Sequence, residues 1–75
     1  MIQLRICETG LPDIVSTFDT IEDAYAVQRA FVMDDESQWH VMELWAVRKM
    51  FEAADFVQTA YKDGEIKISI FMTRL

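Results

Sequence analysis

The sequence predicts a single α+β domain over residues 1–75, in which an antiparallel β-sheet is covered on one face by two helices. Apolar and polar residues alternate at both ends of the chain, which is the two-residue period of half-buried strands. The middle of the chain has apolar residues at helical spacing instead. A chain of 75 residues provides material for one core only. The order of the two patterns along the chain predicts the element order β-β-α-α-β-β.

The chain is predicted to open with a β-hairpin. Residues 2–8 alternate between apolar and polar side chains, and residues 14–18 are β-branched and aromatic. Gly10 and Pro12 lie between them and are typical turn residues. Cys7 falls on the polar face of the first strand and is expected to behave as a small apolar residue, since no electropositive setting activates its thiol.

A first helix is predicted to follow the hairpin. Thr20 can cap it, with Asp23 reaching back, or Asp19 can cap it, with Glu22 in that position. Both arrangements place carboxylates in the first turn, where the helix dipole favours them. The broad apolar face of this helix consists of Ile21, Ala24, Tyr25, Val27, Phe31 and Val32, with Gln28 near its middle.

A central helix is predicted over residues 37–55, which contain both tryptophans and no glycine or proline. Asp35 or Ser37 is the candidate cap. This stretch is apolar over nearly all of its helical circumference, whereas a surface helix needs one apolar stripe only. Either the strands enclose this helix or another protein molecule covers part of it.

A second hairpin is predicted at the C-terminus. Residues 56–61 are β-branched and aromatic, residues 62–65 form a turn with Gly64 at positive φ, and alternation then resumes. The alternative is a long second helix that runs to Lys62 and leaves three strands, with Gly64 as its C-terminal cap. The residues predicted to supply the buried side of the sheet are Ile2, Leu4, Ile6, Ile66, Ile68 and Ile70.

The net charge of −6 is unevenly distributed along the chain. Residues 8–36 contain eight acidic residues and one basic residue, a net charge of −7, whereas residues 37–75 contain five of each. This balance disfavours direct nucleic-acid binding, which depends on Lys and Arg. A protein partner is expected to have a basic surface. The predicted partner-binding residues are Asp13, Asp19, Glu22, Asp23, Asp34, Asp35 and Glu36.

No catalytic or nucleotide-binding motif is present, so no enzymatic activity and no cofactor are expected. Glu36, His40 and Glu43 have helical i, i+4, i+7 spacing and offer the best metal alternative, but they lack a second histidine. A lone cysteine, no apolar leader and no apolar run of about 18 residues favour a cytoplasmic protein without membrane insertion.

These observations favour a protein-protein interaction module. The apolar surplus of the central helix predicts a homodimer held through Leu44, Trp45, Val47 and Phe51. Small size and acidity are also typical of phage-type inhibitors of nucleic-acid-handling or defence complexes, such as anti-CRISPR proteins and nucleic-acid mimics. The alternatives are a structural homo-oligomeric subunit and a small metal- or ligand-binding protein.

Overall fold

A five-stranded antiparallel sheet and two helices form the fold in a computed structural model that describes residues 1–33 and 38–75. The sheet order is β2-β1-β5-β4-β3. The predicted α+β class is therefore confirmed, with one additional short strand between the helices. The elements are β1 (Ile2–Glu8), β2 (Ile14–Phe18), α1 (Ile21–Val32), β3 (Trp39–Val41), α2 (Leu44–Phe51), β4 (Phe56–Lys62) and β5 (Ile68–Arg74).

The first and last strands pair at the centre of the sheet. Cα partners run from Ile2 opposite Arg74 to Glu8 opposite Ile68, and β2 pairs with the outer side of β1. The predicted alternation is confirmed, because the even-numbered side chains of β1 and β5 up to Met72 are buried against the helices, apart from the terminal Glu8. Ile66 was expected among them but is 53% exposed, since it lies in the turn before β5 begins.

Helix α1 begins at a Thr20 cap, which is the first of the two predicted arrangements. The Thr20 hydroxyl accepts a hydrogen bond from the Asp23 amide at 3.1 Å. This bond satisfies one of the N–H groups that the first turn of a helix leaves unpaired. Ala24, Gln28 and Val32 follow at four-residue spacing and form the buried stripe of α1.

Replacing Thr20 with alanine is expected to lower the free energy of unfolding by about 1 kcal/mol, because the cap bond is lost. Thr20→Ser keeps a hydroxyl at the same position and should remain within a few tenths of a kcal/mol of the wild type. Urea denaturation of the three proteins measures both values. If both variants lost the same free energy of unfolding, the methyl group of Thr20, and not its hydroxyl, would stabilise the start of α1.

The predicted central helix over 37–55 is wrong in its bounds. Residues 39–41 form β3, which pairs with β4 from Trp39 opposite Lys62 to Val41 opposite Ala60, and α2 begins only at Leu44. Aromatic and β-branched side chains suit a strand, and the free edge of β4 provides the partner. The candidate caps Asp35 and Ser37 lie outside the described residues.

The predicted C-terminal hairpin is confirmed, and the alternative of a long second helix is wrong, because residues 56–62 form a strand. Gly64 does not take the predicted positive φ; that conformation belongs to Gly10 in the first turn, at φ = 84°. The pairing of β4 with β5 shifts by one residue between Gln58 and Ala60, which makes Thr59 the extra residue of a β-bulge.

Both helices pack on the same face of the sheet and share one core with it. Gln28 is the one polar side chain of α1 in that core, and it accepts a hydrogen bond from the hydroxyl of Thr59. The Gln28 Nε2 group is buried without a hydrogen-bond partner among the described residues. In the part of the chain that the structure describes, no helix is long and apolar enough to cross a membrane.

Candidate interaction surfaces

The acidic residues predicted to bind a partner are divided between two ends of β2. Asp13 precedes this strand and Asp19 follows it, so about 20 Å of extended chain separates them. The Asp13 carboxylate accepts a hydrogen bond from the Arg5 guanidinium at 3.0 Å, which offsets its charge. Asp19, Glu22 and Asp23 lie together where β2 leads into α1, and we call this group the acidic end.

Glu22 is the only member of the acidic end with an ion pair among residues 1–33 and 38–75. Its carboxylate lies 2.6 Å from an Arg48 guanidinium nitrogen, which ties the first turn of α1 to α2. A hydrogen bond from its own backbone amide, followed by the bond from Arg48, lowers the pKa of Glu22. Asp19 and Asp23 are exposed. The predicted partner contacts Asp34, Asp35 and Glu36 lie outside the described residues.

The structure separates the four residues predicted to form a dimer interface. Val47 and Phe51 are buried in the core, so they are unavailable to another molecule and this part of the prediction is wrong. Leu44 is half-buried beside a cleft between the helices. Trp45 alone is exposed, at 65%, and its indole N–H donates to the Glu43 carboxylate at 2.6 Å. Helix α2 thus exposes the large apolar side chains Trp45 and Met50, while its buried residues Val47 and Phe51 face the sheet.

The metal alternative loses its geometric basis, because its helical spacing does not exist. His40 lies in β3 and stacks on Tyr61, with ring centroids 4.6 Å apart, while Glu43 precedes α2 and binds Trp45. Glu36 lies outside the described residues. Within 1–33 and 38–75, no group of three His, Cys, Asp or Glu side chains could hold a metal ion.

The sheet surface opposite the helices is a candidate site that the sequence prediction missed. Phe56 and Phe71 stack there across β4 and β5 with ring centroids 5.2 Å apart, next to the pair of His40 and Tyr61. Both helices lie on the other face, so this surface is uncovered in the described chain. We call it the open sheet face; its residues are Gln3, Arg5, Cys7, Val15, Thr17, His40, Phe56, Gln58, Tyr61, Ser69, Phe71 and Thr73.

Charge is distributed very unevenly between the two sides of the sheet. Glu8 is the only acidic residue in the five strands of the described chain, and the alternation of β1 places it on the helix side. Arg5 is the charged strand residue on the open sheet face, and Asp13 neutralises it. A protein with a net charge of −6 therefore presents a nearly neutral, partly aromatic surface.

Cys7 lies on the open sheet face as a half-buried free thiol. Burial raises its pKa, and a hydrogen bond with Asp13 raises it further. A higher pKa leaves less thiolate at neutral pH, which is the opposite of what a catalytic cysteine requires. The expected inert character of Cys7 agrees with this environment.

Comparison of the chain with protein-family models, curated proteins and solved structures finds no match. The two surfaces must therefore be interpreted from their own chemistry. One is an acidic end with two exposed carboxylates that have no ion pair among the described residues, and the other is a nearly neutral, partly aromatic sheet face.

Proposed function

We propose that the chain is a non-enzymatic interaction module that binds a partner protein with a basic surface through the acidic end. The observation that carries the proposal is the separation of charge. Carboxylates are concentrated at Asp19, Glu22 and Asp23, where only Glu22 is neutralised by a cation of the described chain. Complementary charge accelerates the encounter of two proteins and makes their binding depend on salt.

The environments of His40 and Cys7, two residue types that often perform catalysis, support a binding role instead. His40 is stacked against Tyr61 on an exposed strand, and Cys7 has a raised pKa. Neither residue therefore has the polarised setting of a general base or a nucleophile. Both side chains lie on the open sheet face, away from the acidic end.

The sharpest form of the proposal is an inhibitor of a nucleic-acid-handling or defence complex, of the phage type. Carboxylates at the acidic end would occupy positions that phosphates take on the basic surface of such a partner. The proposal also includes a homodimer, formed through a surface other than the acidic end. Asp19 and Asp23 then remain accessible in both copies.

Reversing charge at the acidic end tests this proposal. Immobilised wild type, Asp19→Lys/Asp23→Lys and the control Asp63→Lys/Glu65→Lys are each exposed to a lysate of the host cell. The control makes the same charge change in the exposed turn between β4 and β5. We expect wild type and control to capture the same protein, and the acidic-end variant to bind it roughly tenfold more weakly, since charge steering is lost.

Raising the salt concentration should weaken capture by wild type. Binding that survives the Asp19→Lys/Asp23→Lys change, or that strengthens with salt, would contradict a role for the acidic end. Circular dichroism confirms beforehand that each variant keeps its helices. A DNA duplex that competes for the captured protein supports the inhibitor form, and a partner without nucleic-acid affinity excludes that form alone.

A further inference from the structure

We infer that the open sheet face is the contact between two copies of this chain, with their sheets packed face to face. The inference rests on the homodimer in the proposed function and is independent of the basic partner. It replaces α2 as the contact surface, because Val47 and Phe51 are already used by the core.

The open sheet face has more aromatic surface than the solvent side of an antiparallel sheet normally has. Such a side usually carries polar residues in alternation with the buried ones. Here Phe56 remains 58% exposed and Tyr61 43% exposed, although each stacks on a neighbouring ring. Aromatic residues are enriched in protein interfaces, where their large apolar surfaces are removed from water.

The charge distribution favours a second copy of this chain as the molecule that covers the open sheet face. Two copies with a net charge of −6 each repel wherever their carboxylates meet, as they would at the helix layer with its Asp19, Asp23 and Glu52. On the open sheet face Arg5 and Asp13 form an internal pair, so two copies can approach there without opposing like charges. A basic partner is attracted to the acidic end instead, which leaves the neutral surface for self-association.

The area of the sheet limits the size of this contact. The five strands contain 29 residues. Each strand residue covers about 16 Å² of a sheet, so the flat area is roughly 460 Å² per copy, or about 930 Å² for the two copies together. This value lies in the range of weak, concentration-dependent complexes and below that of obligate dimers. The expected assembly is a reversible dimer with two sheets about 10 Å apart.

Analytical ultracentrifugation over a range of protein concentrations tests the inference with three variants. Phe56→Glu and Tyr61→Glu each place a negative charge on the open sheet face, and Trp45→Glu makes the same type of change on α2 as a control. We expect wild type and Trp45→Glu to dimerise equally, while the two sheet variants associate at least tenfold more weakly. Circular dichroism verifies that each variant is folded.

The reaction of Cys7 with a thiol reagent provides a measurement on the unmodified protein. At constant pH, the reaction of wild type should slow as protein concentration rises, because dimerisation covers this half-buried thiol. A wild type that stays monomeric overturns the inference, as does a dimer that Trp45→Glu disrupts and the sheet variants do not. Protection of Cys7 only in the complex with a captured partner would assign the open sheet face to that partner. Loss of partner capture with an intact dimer would instead contradict the acidic end alone.

Discussion

Replacing Phe51 with alanine is expected to lower the free energy of unfolding by about 3–5 kcal/mol, enough to unfold much of so small a domain. The Phe51 ring is buried between α2 and the sheet, and the Arg74 guanidinium lies 5.3 Å from its centroid. The same guanidinium donates a hydrogen bond to the Phe51 carbonyl. Alanine would leave a cavity under Arg74 that neighbouring side chains fill only in part.

Trp45→Ala is the matched control, because it removes a larger aromatic ring from the same helix. We expect this variant to change the free energy of unfolding by no more than about 0.5 kcal/mol, since the indole is 65% exposed. Urea denaturation monitored by circular dichroism measures both variants. A large loss for Trp45→Ala together with a small one for Phe51→Ala would reverse the assignment of core and surface on α2.

Replacing Gln28 with methionine and Thr59 with valine together is expected to raise the free energy of unfolding by about 1–2 kcal/mol. Burying an amide N–H group without a partner costs free energy, and Gln28 Nε2 is such a group among the described residues. Methionine and valine have similar shapes to the residues they replace, so the core stays filled. Removing both polar partners therefore eliminates the penalty without opening a cavity.

Thr59→Val alone should have the opposite effect and lower the free energy of unfolding by about 1–3 kcal/mol. It removes the hydroxyl that donates to Gln28 and leaves the whole buried amide unpaired. A double-mutant cycle by urea denaturation separates the two contributions. If the double variant were as unstable as Thr59→Val, the methionine would not fit the space of Gln28, and the unpaired amide would not be the cause.

Local chemistry made the first third of the fold predictable. Alternation in residues 2–8 requires only one buried face, and the Thr20 cap depends on atoms three residues apart. In both cases the pattern that predicts the structure lies within the segment itself, although β1 pairs with β2 and β5. The same reasoning explains why the last strand could be predicted together with its inward-facing residues.

Strand β3 could not be predicted, because its structure is decided by a distant partner. Trp39–Val41 has three residues, which is too short for a periodic pattern, and helix formers surround it. Pairing with β4 determines its conformation, and this moves His40 to the open sheet face. The metal alternative assumed one continuous helix over 37–55, which β3 interrupts. The predicted dimer residues all lie in α2, but Val47 and Phe51 face the core.

The open sheet face was missed for a related reason. Alternation in β5 showed that Phe71 opposes the buried residues, but the ring with which it stacks comes from β4. Two inward-facing neighbours, Thr59 and Ala60, interrupt the alternation of β4 and make it resemble a helix. A break of this kind between two alternating halves is the sequence pattern of a bulge.

The bulge at Thr59 also limits how the length of this chain can change over generations. Geometrically, residue 59 is the one that β4 could lose while the pairing with β5 and the orientation of Tyr61 stay the same. However, its hydroxyl binds Gln28 of α1, and its carbonyl accepts the Met42 amide at 2.9 Å. A deletion that the sheet alone tolerates would therefore leave the Gln28 side chain and the Met42 amide without these hydrogen-bond partners. Related chains should therefore conserve the number of residues in β4 more strictly than the identities of those residues.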